Sequence, residues 1–291
     1  MDTLKKALLC LTAAAIPITG YGLSLPLRIK HERVSFTDLP AHLSSLKILH
    51  ISDFHARYTT KTHINIWQAI SNLNFDIAVI TGDIILGDYL QLKPHINGLR
   101  DLAENVPVYF VDGNHDYMCY RKIVKLFNKI GITTLANNIS DCKLGTDYGN
   151  KSLSVAGFRD FYYLQSKGFK GVAPLMDKMA AVGGFHLILS HQPQIFYSLR
   201  SGDMPFSALV LAGHTHGGQV RLPFLPTLLA PGQGVLPEYG DGWYKRNDGK
   251  IKMYISRGIG ATHFPLRFFN PPEIAVIELI QPHNKILTQH I

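Results

Sequence analysis

Ala208-Leu209-Val210-Leu211-Ala212-Gly213-His214-Thr215-His216-Gly217-Gly218 is the stretch on which the reading of this chain turns. Five apolar residues that stop abruptly at a glycine read as a buried strand whose carboxyl end opens into a cleft. Two imidazoles leave that end together. If the extended conformation persists through Thr215, residues two apart point the same way, so His214 and His216 are expected to converge on one point. Glycines on both sides let the backbone approach whatever the pair holds. A His-x-His pair by itself is commonly two half-exposed strand residues. This one is not by itself.

An apolar run followed by a polar cluster recurs along the chain. Residues 46–52 are expected to form a buried strand ending in Asp53-Phe54-His55, and residues 76–81 a second that ends in Gly82-Asp83. A third, 106–111, runs into Asp112-Gly113-Asn114-His115-Asp116, and a fourth, 185–190, delivers His191. Helical spacing of apolar residues predicts helices over 62–73, 90–104, 121–130 and 174–182, the third closed by Gly131. Further strands are expected at 132–135, 153–158, 252–256 and 272–280, with a turn-rich segment over 141–150 and a long Pro-, Gly- and aromatic-rich loop over 221–248. No repeat or clear linker interrupts this order. One domain over residues 46–280 follows.

The chain has 291 residues, 46% of them hydrophobic, enough to bury a sizeable core. A net charge of +8 suits an anionic partner, whether phosphate ester, nucleic acid or acidic lipid. The three cysteines, Cys10, Cys119 and Cys142, exclude a disulfide framework and contain no CxxC zinc pattern. Residues 1–33 form a separate apolar segment: Lys5 and Lys6 are followed by an uncharged run from Ala7 to Leu27, then Arg28, Lys30 and Arg33. Such a segment reads as an uncleaved membrane anchor or a signal-like leader. The expected placement is therefore membrane-associated, the cytoplasmic face slightly favoured by the flanking charges, with a secreted or periplasmic protein as the alternative.

The strand-end clusters bring hard oxygen donors and borderline imidazoles to one place, since ligands of open α/β sheets bind outside the carboxyl ends of strands. That donor set suits a pair of divalent ions better than a nucleophilic triad. No Ser or Cys sits in a nucleophile elbow, and no Gly-rich phosphate loop precedes a helix. Two ions sharing a carboxylate would activate water and clamp phosphoryl oxygens for in-line attack.

The ordered blocks Asp53-Phe54-His55, Gly82-Asp83, Gly113-Asn114-His115-Asp116, His191 and Gly213-His214-Thr215-His216 resemble the calcineurin-like metallophosphoesterase family. The resemblance covers roughly residues 46–280. It implies an α/β fold of two mixed β-sheets packed as a sandwich and flanked by helices, which the strand order alone does not distinguish from a doubly wound single sheet. It implies one ion held by Asp53, His55, Asp83 and His216 and a second by Asp83, Asn114, His191 and His214, with Asp83 bridging. It also implies that His115 acts outside the metal shell and that Asp116 orients it. Mn²⁺, Fe and Zn²⁺ all suit the donors, Mn²⁺ being preferred.

The apolar amino terminus and the segments Ser256-Arg257-Gly258-Ile259-Gly260 and Phe264-Pro265-Leu266-Arg267-Phe268-Phe269-Asn270-Pro271-Pro272-Glu273 resemble the bacterial membrane-associated branch of that family. That branch includes enzymes resembling UDP-2,3-diacylglucosamine hydrolase, which cut the pyrophosphate of a lipid A precursor. The resemblance implies an anionic, lipid-linked phosphodiester or pyrophosphate substrate and a membrane surface as partner, without specific nucleic-acid binding. The apolar loop 222–230 is a candidate wall for acyl chains, and Arg57, Arg159, Arg221 and Arg257 are candidate phosphate clamps. Alternatives are a phosphodiesterase of nucleotides or other soluble phosphates, and a non-catalytic metal-binding scaffold of the same fold.

Overall fold

The computed structural model describes residues 26–56, 60–145, 152–160, 172–200, 204–221, 225–261 and 267–282. Its framework is two six-stranded mixed sheets. The first runs β1 (Arg28–Ser35), β14 (Glu273–Ile280), β2 (Lys47–Ile51), β3 (Ile77–Thr81), β4 (Val108–Val111) and β5 (Thr133–Thr134). β2 through β5 are parallel, β14 is antiparallel to β2, and β1 is parallel to β14. The second runs β12 (Gly242–Lys245), β13 (Ile251–Ile255), β9 (Phe206–Ala212), β8 (Gly184–Leu189), β7 (Ser152–Gly157) and β6 (Asn138–Lys143). Its four central strands are parallel and its two outer ones antiparallel.

The sheets face each other across one core that joins Ile48, Val79 and Ile277 of the first to Leu187, Leu209 and Tyr254 of the second. Helices α1 (Thr60–Ser71), α2 (Ile96–Asn105) and α3 (Tyr120–Lys129) lie on the first sheet's outer face, where Ile66, Leu99, Ile123 and Phe127 are buried. Helices α4 (Val172–Val182) and α5 (Ile195–Arg200) cover the second, with Leu175, Met179 and Phe196 inside. Central strands covered on both faces have no polar side, which is why Phe206–Ala212 is buried at every position. The expected helix-flanked sandwich of two mixed sheets is the fold. Parallel strands send their carboxyl ends to one edge of each sheet, and packing brings the two edges together.

Several elements differ from the sequence expectation, each for a local reason. The stretch expected as one helix over 90–104 is a 3₁₀ turn, Tyr89–His95, followed by α2: Pro94 has no amide to donate, so the regular ladder starts only after it. Part of the expected turn-rich segment is β6, whose polar sequence suits a sheet edge. The expected long loop 221–248 contains β12 and a small hairpin of β10 (Leu229–Ala230) and β11 (Gly234–Val235). The first sheet also begins before residue 46, because β1 pairs with β14 along its whole length.

That pairing bears on the amino-terminal expectation. Residues 28–33 of the segment read as an anchor give their backbone hydrogen bonds to a sheet, and residues 1–25 lie outside the described residues. Among the described residues no helix is long and apolar enough to cross a membrane. The expected localisation, membrane-associated through residues 1–33 or secreted after their removal, is therefore corrected and stands without support.

Candidate metal centre

Asp53 and His55 follow β2, Asp83 follows β3, Asn114 to Asp116 follow β4, His191 follows β8, and His214 and His216 follow β9. Backbone hydrogen bonds tie these turns to one another: Asp53 N donates to Gly82 O (3.1 Å), His55 N to Asp83 O (2.9 Å) and Gly213 N to His191 O (2.9 Å). The approach at Gly213 is close, for a Cβ there would fall on the Ser52 hydroxyl and the Asp53 carboxylate. Gly213→Ala is therefore expected to cost roughly 1–3 kcal/mol, as overpacking does, and to lower metal retention, measured by thermal melting and elemental analysis of the purified variant.

Side chains from both sheets meet in two groups. Asp53, His55, Asp83 and His216 bring ligand atoms within 4.8 Å of one another, as do Asp83, His191 and His214, and all six residues are buried. His55 Nε2 lies 3.3 Å from His216 Nε2, which is 3.3 Å from Asp53 Oδ1. His191 Nε2 lies 3.1 Å from His214 Nδ1 and 3.2 Å from Asn114 Oδ1. Asp83 Oδ2 belongs to both groups, 3.6 Å from His55 Nε2 and 3.3 Å from His191 Nε2.

The far nitrogens say which way the rings are protonated. His191 Nδ1 faces Thr81 O at 2.8 Å and His55 Nδ1 faces Ile85 O at 3.3 Å. A carbonyl accepts a proton there, which makes Nε2 the inward-facing atom of each ring, the usual support of a metal-bound histidine. Buried imidazole nitrogens and carboxylate oxygens converge there, the donor set of a cation site, and the far nitrogen of His216 faces the Arg267 guanidinium at 3.4 Å. The donors fit a binuclear metal centre.

The electrostatics agree. Burial holds the His55 imidazole down at about 4 and that of His214 at about 3, and it puts His216 well below its usual value, so these rings are neutral near pH 7. Burial alone would raise the Asp83 carboxyl, but His191 and His55 beside it hold it below the carboxylate range. Asp53, where burial outweighs the neighbouring His191, is pushed up to about 6. His191 gains its proton more readily than usual because Asp83 and Asp53 outweigh its burial.

One geometric expectation is corrected. His214 and His216 do not converge by extended alternation: β9 ends at Ala212, Thr215 has φ −78° and ψ −18°, and the two histidines take φ of 70° and 50°. The left-handed turn separates them, sending His214 to His191 and His216 to Asp53 and His55. Asp53, Asp83 and His55 are likewise left-handed, with φ of 48°, 52° and 41°. Non-glycine residues enter this region at a cost and cluster where function requires it.

His115 sits half-buried beside the first group, its ring 5.2 Å from that of His55, and its backbone N donates to Asp83 Oδ1 at 2.9 Å. Asp116, expected to orient His115, accepts from three backbone amides: Gly113 at 2.9 Å, Ile85 at 3.2 Å and Ile84 at 3.3 Å. It holds the β3 and β4 turns together. Of the candidate phosphate clamps, Arg159 grips Asp112 through Nε at 2.8 and 2.9 Å, Arg221 and Arg257 share Asp241, and Arg57 lies outside the described residues.

The sequence reading missed what stands behind the ligands. Gly258 and Gly260 lie against Asp53 and His55, where a Cβ would come within 2.5 and 2.6 Å of their Cβ atoms, and Asn270 reaches the His216 backbone. The signal was present: residues 256–260 repeat the pattern of a strand running into glycines, but without a carboxylate or imidazole to mark it.

Residues 46–218 match the calcineurin-like phosphoesterase family. Across 83% of its length the chain is 32% identical to the uncharacterized metallophosphoesterase YkuE of Bacillus subtilis, 81% of which is covered. It is 29% identical over 87% of its length to an uncharacterized metallophosphoesterase of Helicobacter pylori, of which it spans 65%. It is also 26% identical to the UDP-2,3-diacylglucosamine pyrophosphatase LpxG of Chlamydia muridarum, over 82% of this chain and 85% of that protein.

Proposed function

From the premise that this chain belongs to the calcineurin-like phosphoesterase family, we propose that it cleaves a phosphodiester or pyrophosphate bond of a lipid-linked substrate. It is a metal-dependent phosphoesterase, so the non-catalytic scaffold considered from sequence is set aside. Mn²⁺ is the proposed ion, with Fe or Zn²⁺ as alternatives, because carboxylates and imidazoles without a thiolate accept all three. Two bound ions would supply Lewis acidity to the phosphoryl group and an activated water at neutral pH.

The chain's own residues do the rest. Asp53, His55, Asp83 and His216 would hold one ion, and Asp83, Asn114, His191 and His214 the other. His115, outside both groups with its ring 5.2 Å from that of His55, is the proposed general acid that would protonate the departing oxygen. Asp116 positions the turn that carries it.

The observation that carries the lipid-linked reading is the rim. Of ten exposed large apolar residues among those described, eight lie on the loops leaving the metal-binding strands: Leu90, Tyr117, Met118, Val220, Leu225, Leu229, Val235 and Leu236. The turn of the β10–β11 hairpin overhangs the centre, since a Cβ at Gly232 would lie 3.7 Å from His214 Nε2. Exposed apolar side chains on the connections that follow the ligand-bearing strands suit a substrate with an apolar tail. The similarity to LpxG, whose name specifies a diacylated UDP-sugar, supports the same class and makes a lipid A precursor the proposed example.

Mn²⁺-loaded protein is expected to hydrolyse a diacylated UDP-sugar in detergent at least tenfold better, by kcat/KM, than the same headgroup without acyl chains. His115→Ala should lower kcat for both by roughly 10²–10³-fold, within the range of general acid catalysis, while two ions stay bound. Equal turnover with and without acyl chains, or preference for cyclic nucleotides, would replace this reading with that of a soluble-phosphate diesterase.

A further inference from the structure

We propose that Asn270 is a positioning residue that makes His216 a ligand, so that one of the two ions depends on a segment lying beyond the matched family region 46–218. The proposal rests on the two-ion reading above. Asn270 is fully buried, and its Nδ2 donates to His216 O at 2.6 Å and Gln219 O at 3.3 Å. Both partners are carbonyls, so the amide can present only its NH₂ to them. Its Oδ1 is left buried without a hydrogen-bond partner, 2.9 Å from the place a Gly217 Cβ would occupy. A buried unpaired carbonyl is retained at the expense of stability, so an account of it is owed.

The loop it clamps supplies that account. His216, Gly217, Gly218 and Gln219 take φ of 50°, 57°, 80° and 55°, four left-handed residues in succession. Two of the four are not glycine, so the turn persists only where its surroundings impose it. The 267–270 segment does this along its length: Phe268 N donates to Gln219 O (3.1 Å), Arg221 N to Phe268 O (2.9 Å), and Asn270 closes the inner side. The segment is itself anchored, because Arg267 donates through Nε to Gly260 O (2.7 Å) and through Nη2 to Arg257 O (2.8 Å), while Pro271 and Pro272 stiffen the entry to β14.

The second group has other supports. His191 is held by Thr81 O, and His214 N donates to the Asp53 carboxylate at 3.0 and 3.1 Å. Removing the Asn270 amide therefore loosens His216 and leaves the Asn114, His191 and His214 set in place.

Calorimetric Mn²⁺ titration and electron paramagnetic resonance of the full chain and its variants test this. Wild type is expected to bind two ions and give an exchange-coupled spectrum. Asn270→Ala should keep one ion at its original affinity, bind the other 10–100-fold more weakly, as loss of an outer-shell partner does, and show the six-line spectrum of isolated Mn²⁺. Asn270→Asp, the same size but with an oxygen facing the two carbonyls, should do the same and serves if the alanine variant fails to fold. Asn270→Ser, which keeps a donor, should recover part of the loss. Unchanged affinity at both sites, or equal weakening of both, overturns the assignment. Wild type binding fewer than two ions would instead overturn the two-ion reading itself.

Discussion

Stripped of divalent ions by a chelator and returned to metal-free buffer, the protein is expected to melt about 15 °C lower than the Mn²⁺-loaded form. The estimate starts from linkage: an ion at a thousandfold excess over its dissociation constant stabilises the native state by about 4 kcal/mol, so two ions contribute about 8. A chain of this size gains roughly 2 °C per kcal/mol. The structure explains why the metal-free state is poor. Five proposed ligands, Asp53, His55, Asp83, His214 and His216, are held at positive φ, and two buried carboxylates face four buried imidazoles. Without cations the Asp53 carboxyl is pushed up to about 6 and the His55 and His214 rings down to about 4 and about 3, the signature of groups kept from water without adequate partners. Differential scanning calorimetry of the two forms, with a third reloaded sample to establish reversibility, makes the comparison. A melting temperature that does not respond to metal would remove the premise that these turns are built around ions.

How much of this was legible beforehand depended on what each residue faces. β3 and β9 are covered on both sides, so their sequences are mostly apolar, Thr81 and Ser207 apart, and the polar residues that follow stand out against them. Six of the proposed ligands are carboxylates or imidazoles close after apolar runs, and Asn114 is caught only through its neighbours in Gly113-Asn114-His115-Asp116. The edges were opaque for the opposite reason. Arg-Ile-Lys-His-Glu-Arg-Val-Ser in β1 and Asn-Ile-Ser-Asp-Cys-Lys in β6 face solvent on one side and carry charge there, which hides them among loops. The left-handed turn at His214 was hidden because only tertiary contact enforces it: β propensity through Ala212 says nothing about where Asp53 waits to accept the His214 amide. Asn270 illustrates the remaining limit. Its partners are two backbone carbonyls some fifty residues earlier, a relation that no local pattern encodes.

Asp83→Asn is expected to abolish turnover more completely than loss of any other single ligand, lowering kcat/KM at least about 10³-fold, or about 4 kcal/mol of transition-state stabilisation. The argument lies in the carboxylate's position. Its Oδ2 lies near imidazoles of both groups, His55 at 3.6 Å and His191 at 3.3 Å, while its Oδ1 accepts the His115 amide at 2.9 Å. Each other ligand serves one group, so His216→Ala and His191→Ala should each leave one ion bound. Asparagine keeps the size and the hydrogen bond to His115, but removes the negative charge that two adjacent cations require. Nearby His191 and His55 hold the Asp83 carboxyl below its usual range, so it is ionised near pH 7 and the substitution removes a whole charge there. Metal content by elemental analysis should then fall toward zero in Asp83→Asn against one ion in His216→Ala, with circular dichroism unchanged in both. Two ions retained by Asp83→Asn, or activity within tenfold of wild type, would show that the groups are independent and that no shared carboxylate joins them.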